Sequence, residues 1–201
     1  MNIGVYGGSF NPPHNGHLFL ATELQKKLSL DKIIIIPSNI SPQKSDNGHI
    51  DPIHRLNMCR LVFSESVFDV SDCEISRGGK SYTFDTLNYI LSQYPNAKIF
   101  LFMGSDMLLS FCTWFRYKDI LKMCTVCAIS RGEGDNTDKM RQYAKENLID
   151  GNVRIFDLPE IEVSSSLIRE KIGKNEDINN LVPQKAAEYI KENGLYGQAD
   201  L

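Results

Sequence analysis

Apolar runs alternate with segments of helical period along the whole chain. Residues 3–6 predict a short first strand, after which Leu18, Ala21, Leu24 and Leu28 recur at helical spacing over residues 17–28. Residues 32–36 form a lysine followed by four isoleucines and stop at Pro37, the pattern of a strand covered on both faces. A polar, proline-containing loop over residues 38–50 follows. Asp51 and Pro52 then read as the N-cap and first-turn proline of a helix to about Phe63, with Ile53, Leu56, Met58, Leu61 and Val62 available to the core. Residues 67–75 predict a strand, 83–94 a helix ended by Pro95, and 98–103 a further strand. Short helices around 108–111 and 117–122 lead to a strand over 125–130. A charged helix over 137–148, a strand over 153–158 and helices near 165–172 and 183–193 complete the pattern.

Strands alternating with helices make βαβ units, so the expected fold class is α/β: a doubly wound, mostly parallel sheet in a three-layer α/β/α sandwich. In such sheets ligands sit at the carboxyl ends of the strands, where the strand order switches. The loops after Tyr6, Ile36, Met103, Ser130 and Leu158 are therefore the ones to inspect. Neither an internal repeat nor a long linker interrupts the sequence. Residues 1–201 are expected as a single domain, with the C-terminal helices of about 164–193 packed on it.

Composition narrows the function classes. With 201 residues, 42% hydrophobic and 23% charged, the chain lies in the ordinary globular range, where a core needs no disulfide or metal staple. A net charge of −3 argues against a general nucleic-acid binder, which needs a basic footprint, but allows a local cationic pocket. No basic, apolar leader opens the sequence and no apolar run nears the ~18–20 residues of a membrane span, so a cytoplasmic location without a membrane partner is expected. Five cysteines, Cys59, Cys73, Cys112, Cys124 and Cys127, read as reduced thiols. Cys124 and Cys127 have redox or zinc spacing, but a strand would point residues three apart to opposite faces.

The candidate chemistry begins after the first strand, at Gly7-Gly8-Ser9-Phe10-Asn11-Pro12-Pro13-His14-Asn15-Gly16-His17. Glycines directly off a strand permit close backbone approach, and a following helix N-terminus offers N–H groups and a positive dipole end to phosphate. Neither a P-loop nor G-x-G-x-x-G is present. His14 and His17, three apart at the helix entrance, would lean toward one ligand. Zinc is the rival reading, without a third ligand nearby. Near the other end of the chain, Ser164, Ser165 and Ser166 open a helix whose N–H groups can hold an anion, with Arg169 one turn in as a bidentate phosphate donor.

With these two signatures the sequence resembles the HxGH nucleotidyltransferase superfamily: His14-Asn15-Gly16-His17 is its first motif, and the Ser164–Arg169 stretch matches its second in place and order. Within it, the chain most resembles the nicotinate-mononucleotide adenylyltransferases, nearly end to end. Gly7 to His14 is that family's opening, Ser81-Tyr82-Thr83-Phe84-Asp85-Thr86-Leu87 its Ser-x-Thr-x-x-Thr-Leu segment, and Gly104-Ser105-Asp106 followed by Trp114 its Gly-x-Asp…Trp segment. Gln43 replaces the usual His of an Asn-x-x-Pro-His-Lys stretch, so only Asn39 and Lys44 carry over. Ser166 stands where Thr is usual, and Arg131 lacks the customary Pro-Gly after it.

The resemblance implies a Rossmann-like nucleotidyltransferase fold and adenylyl transfer from ATP, with Mg²⁺, to nicotinate mononucleotide, a step of NAD biosynthesis. By it, His14, His17, Lys44 and Arg169 are catalytic, and Gly7, Gly8, Ser9, Phe10, Gly104, Asp106, Ser164, Ser165 and Ser166 bind ATP. Asn39, Tyr82, Thr83, Thr86, Trp114, Phe115 and Arg131 bind the acceptor, with Trp114 stacking on the pyridine ring and no residue set aside as a dedicated metal ligand. The remaining readings are a sister enzyme acting on nicotinamide mononucleotide or phosphopantetheine, or a non-catalytic nucleotide-binding module. A homo-oligomer is compatible with the sequence.

Overall fold

A computed structural model describes residues 1–42, 50–131, 135–159 and 161–197. The chain runs β1 (Asn2–Gly8), α1 (Asn15–Leu28), β2 (Lys32–Pro37), α2 (Pro52–Val62), β3 (Phe68–Val70), α3 (Cys73–Arg77), α4 (Thr83–Gln93) and β4 (Lys98–Gly104). It continues with α5 (Ser105–Leu109), a 3-10 turn (Phe111–Thr113), α6 (Tyr117–Met123), β5 (Thr125–Arg131), α7 (Asp135–Asn147), β6 (Asn152–Leu158), α8 (Ser165–Gly173) and α9 (Gln184–Glu192). The six strands form one sheet in the order β3-β2-β1-β4-β5-β6, and every pairing is parallel. This is the doubly wound Rossmann-like order, which reverses direction between β1 and β4.

Alternation along the strands supplies two cores. Ile33 and Ile35 of β2 join Cys127 and Ile129 of β5 on one face, under Leu24, Met58, Ile168 and Ile190 of α1, α2, α8 and α9. Ile34 and Ile36 join Val126 and Ala128 on the other, under Leu87, Leu108, Ile120 and Met140 of α4, α5, α6 and α7. Four successive isoleucines are thus all buried because both faces of β2 are covered. Cys124 and Cys127 fall in opposite cores, burial pushes both thiols up to about 12, and all five cysteines are free. Gly4 has a packing reason, since a Cβ there would stand 2.7 Å from the Phe102 ring. Among the described residues, no helix is long and apolar enough to cross a membrane.

Two expectations are corrected. The strand over 67–75 stops at Val70, because its register with β2 ends at Ile35 and Ser71-Asp72 turns the chain into α3. There, Ser76 donates its N–H to the Asp72 carbonyl and its hydroxyl to the Asp72 carboxylate. In α2 the N-cap is as expected, Asp51 accepting from the Ile53 N–H at 2.9 Å. Ile53, however, is 45% exposed, and Arg55 takes a core-facing position instead.

Candidate active site

An open cleft of about 1330 Å³ lies over the carboxyl ends of β1 and β4, at the switch in strand order. Sequence dictates its centre. After β1 the chain turns through Phe10, whose φ of 46° lies in the left-handed region, and drives that ring into the core. His14 then N-caps α1. Its N–H donates to Nδ1 of His17 at 3.2 Å, and the two imidazole rings stack with centroids 3.7 Å apart. Since Nδ1 of His17 accepts, the hydrogen bond assigns the proton of the neutral ring to Nε2, making that nitrogen the donor. Gly16 permits this stack: a Cβ there would meet Val163 at 2.9 Å and Nδ1 of His14 at 3.1 Å.

The second signature is folded onto the first. Ser164 N-caps α8, its hydroxyl accepting from the Leu167 N–H at 3.1 Å. Ser165 donates to the Pro12 carbonyl at 2.9 Å, and Nη1 of Arg169 donates to the Asn11 carbonyl at 2.8 Å, while Nη2 lies 3.3 Å from the Ser166 hydroxyl. A helix's first N–H groups have no partner inside the helix. Those of Ser165 and Ser166 therefore remain as donors for an anion, beside a guanidinium. His14, His17 and Arg169 line one cleft, together with Gly7, Gly8, Ser9, Phe10, Ser164, Ser165 and Ser166. The first helix contributes less than expected: the N–H of Asn15 is taken by the Leu181 carbonyl at 2.9 Å and that of His17 by the His14 carbonyl.

The opposite wall is aromatic. Trp114 packs against Phe111 with centroids 5.1 Å apart and faces the cleft beside Thr113 and Phe115. Phe115, 53% exposed, meets Tyr82 at 5.1 Å, and Arg116 lies 3.9 Å over Phe84 while its Nε pairs with Asp119 at 2.8 Å. These contacts tie the Trp114 loop to the start of α4, where Tyr82 and Thr83 line the cleft. Gly104 and Asp106 also line it, with Asp106 in the first turn of α5, where the helix dipole favours a carboxylate.

Four expected residues stand differently. Thr86 is 2% exposed and its hydroxyl donates to Glu74 at 2.6 Å, so its side chain serves the floor and not the cleft. Asn39 lies outside the cleft lining, its amide spent on the Gly79 carbonyl at 2.9 Å. Lys44 lies outside the described residues, and Arg131 is described by its backbone alone, at the last position of β5.

The fold also brings in residues that sequence reasoning missed. Arg55, 2% exposed, donates from Nη1 to the Ser9 carbonyl at 2.7 Å and from Nη2 to the Asn39 carbonyl at 3.1 Å. Burial lowers its pKa, yet a guanidinium stays charged at neutral pH. Glu74 lines the cleft at 6% exposure, and burial raises its carboxyl, opposed by the hydroxyls of Thr86 and Ser81 and by the charges of Arg77 and Arg55. Tyr196 donates its hydroxyl to Oδ1 of Asn11 at 2.8 Å. Arg55 was findable, since with Met58, Cys59 and Val62 it forms an i, i+3, i+4, i+7 set on the buried face of α2. Nothing local marks Tyr196.

The cytidylyltransferase-like family model matches residues 5–171. The nicotinate-nucleotide adenylyltransferase of Bacillus subtilis (strain 168) is 35% identical over 196 residues, covering 96% of this chain and 97% of that protein. Two solved structures share the fold. The Plasmodium falciparum nicotinic acid mononucleotide adenylyltransferase complexed with NaAD has a TM-score of 0.76 at 21% identity and covers 97% of both chains. The same enzyme complexed with APC gives 0.77 at 20% identity, covering 97% of this chain and 96% of that one.

Proposed function

The chain belongs to the cytidylyltransferase-like nucleotidyltransferases, in the family of nicotinate-nucleotide adenylyltransferases, and from that premise we propose that it transfers the adenylyl group of ATP to nicotinate mononucleotide. The products are nicotinate adenine dinucleotide and pyrophosphate, a step of NAD biosynthesis. One observation carries the reading at the level of residues: Arg169 and Ser165, from the far end of the sequence, bond to the carbonyls of Asn11 and Pro12 in the loop that leads into His14 and His17. A triphosphate site needs those donors in one place, and these two bonds support that reading.

In the proposed reaction an oxygen of the acceptor's 5′-phosphate attacks the α-phosphorus of ATP, and the bond to the β-phosphate oxygen breaks. A phosphate monoester is already ionised near neutral pH, its second pKa being about 6, so no general base is required. Catalysis then rests on holding two polyanions in line and stabilising charge that builds on the α-phosphate and the leaving pyrophosphate. His17 is the α-phosphate donor, its Nε2–H fixed by the Nδ1 bond to the His14 backbone. His14, Lys44 and Arg169 serve the β and γ phosphates, with the N–H groups of the Gly7–Phe10 loop and of the first turn of α8.

The donors in the cleft are imidazoles, a guanidinium and N–H groups, which suit anions, and among the described residues no three of His, Cys, Asp and Glu converge as metal ligands. Mg²⁺ would enter with ATP and be carried by the nucleotide, and Asp106 would serve ribose. The ion's contribution when bound is neutralisation of phosphate charge. At the other end of the cleft, Trp114 stacks on the pyridinium face, and Thr83 with the first N–H groups of α4 and those near Phe115 holds the ring carboxylate, the Thr86 N–H itself being bonded to the Tyr82 carbonyl. The 201 residues act as one domain, in a reducing cytoplasm consistent with five free cysteines.

A steady-state comparison of pyrophosphate release tests the reading, using Mg-ATP with nicotinate mononucleotide, nicotinamide mononucleotide or phosphopantetheine. Nicotinate mononucleotide is expected to give the highest kcat/KM. Preference for another acceptor reassigns the chain to a sister activity, and ATP binding without turnover of any acceptor reassigns it to a binding module.

A further inference from the structure

A chain of polar contacts, which the reaction chemistry itself does not call on, runs beneath the cleft. It starts at Ser9 in the phosphate loop, whose carbonyl accepts from Nη1 of Arg55 at 2.7 Å. Nη2 of the same guanidinium donates to the Asn39 carbonyl at 3.1 Å, in the loop after β2. The Asn39 N–H donates to Oγ of Ser81 at 2.9 Å, and the Ser81 hydroxyl faces the Glu74 carboxyl, which it helps to hold down against burial. Oε1 of Glu74 also accepts from the Thr86 hydroxyl at 2.6 Å, beneath the start of α4, and Nη2 of Arg77 stands 3.3 Å from that same hydroxyl oxygen. The chain thus joins the ATP end of the cleft to the pyridine end.

Its two ionic members are an expensive choice. Arg55 and Glu74 are 2% and 6% exposed, and among the described residues Arg55 has no carboxylate within ion-pairing distance. The guanidinium is instead held by two carbonyls from separate loops, with its buried Nε unpartnered among the described residues, and the carboxylate accepts from the Thr86 hydroxyl. For packing alone, apolar side chains of the same volume would do as well or better. What they could not do is fix three loops and a helix start in one arrangement, because a guanidinium reaches two carbonyls at fixed geometry and a carboxylate gathers two hydroxyls.

We infer that Arg55 and Glu74 are positioning residues, which touch neither substrate's reacting atoms but set the spacing between the phosphate loop and the α4 subsite, and with it the in-line approach of acceptor to α-phosphorus. This rests on the proposed adenylyl transfer. It separates two quantities that a general loss of structure would move together: each half-site keeps its own donors, so binding of each substrate alone persists, while their mutual alignment is lost.

The test uses the full chain with Arg55→Lys, which keeps the charge but cannot span two carbonyls, Glu74→Gln, which keeps the volume, and the double variant. Acceptor binding is read from the fluorescence of Trp114, the chain's single tryptophan. In each single variant kcat is expected to fall at least about tenfold and toward about 10²-fold, the effect of roughly 1 Å of misplacement. KM for ATP and the acceptor's Kd should change less than about threefold. The double variant should be no slower than the slower single one, because both break one chain. The inference is overturned by single variants with kcat within twofold of wild type, by losses that appear in KM alone, by losses that track the folded fraction measured by circular dichroism, or by losses that multiply in the double variant. A wild-type chain that turns over no acceptor overturns the proposed function, and this inference with it.

Discussion

The imidazoles of His14 and His17 lie 3.7 Å apart, centroid to centroid, at an interplanar angle of 33°, and the backbone N–H of His14 donates to Nδ1 of His17. Two rings on one helix entrance are therefore held differently. His14 lines the cleft at 3% exposure, while His17 accepts at Nδ1, which makes Nε2 its donor nitrogen. Stacking and the backbone bond together keep that donor in place before any charge develops.

Removing it should tell. His17→Ala is expected to lower kcat about 10²–10³-fold, the usual loss for one preorganised donor to developing charge, with KM for ATP changed far less. Pyrophosphate release under saturating substrates checks this, with the melting curve as a control for folding. Near-normal turnover would remove His17 from the α-phosphate.

On the aromatic wall, Trp114→Ala should raise the acceptor's KM by about tenfold or more and leave KM for ATP within about twofold, since stacking on a ring is worth about 1–3 kcal/mol. In the wild type, nicotinate mononucleotide should quench the single tryptophan's emission in proportion to occupancy. An acceptor that binds with no change in emission would place its ring elsewhere.

Tyr196→Phe deletes the donor to Asn11 in a buried contact of 2.8 Å. About 1–2 kcal/mol of stability should go with it, or roughly 2–8 °C in Tm for a domain of this size. Because Asn11 carries the carbonyl that receives Arg169, KM for ATP should rise as well. A melt unchanged to within 1 °C would show the hydroxyl to be idle.

Glu74 gives stability a pH dependence of definite sign. Burial raises its carboxyl above the ordinary 4.5, so between that value and the folded one the native protein keeps a proton that the unfolded chain has released. Raising the pH through this window therefore costs stability, and above it the loss is complete and constant. Urea midpoints of wild type and Glu74→Gln at steps from pH 4.5 to 8 should diverge in the variant's favour across the window. A constant difference would mean that the folded carboxyl titrates where a free one does.

Much of the fold is legible because its signals are local. Four isoleucines before Pro37 mark a strand covered on both sides, and Asp51-Pro52 marks a helix start whichever neighbours it meets. The two motifs around His14 and Arg169 are local patterns too, and the fold brings both to one cleft. What escapes is whatever depends on a partner distant in sequence. Residues 67–75 carry strand composition, but pairing with β2 runs out after Val70. The Asn15 N–H looks available until the Leu181 carbonyl takes it, and Thr86 looks like a cleft residue until Glu74 claims its hydroxyl. Arg55 shows the intermediate case: its helical spacing places it inside, while the two carbonyls that give it a purpose belong to other loops.

The bonds from Arg169 to Asn11, from Ser165 to Pro12, from Asn15 to Leu181 and from Tyr196 to Asn11 all reach back across the length of the fold to one early loop. A nascent chain that has emerged through β6 holds the strands of the described sheet, and its early loop is then clamped in steps as residues 165, 169, 181 and 196 follow. A chain cut just before Tyr196 is expected to keep the earlier clamps and to lose the last.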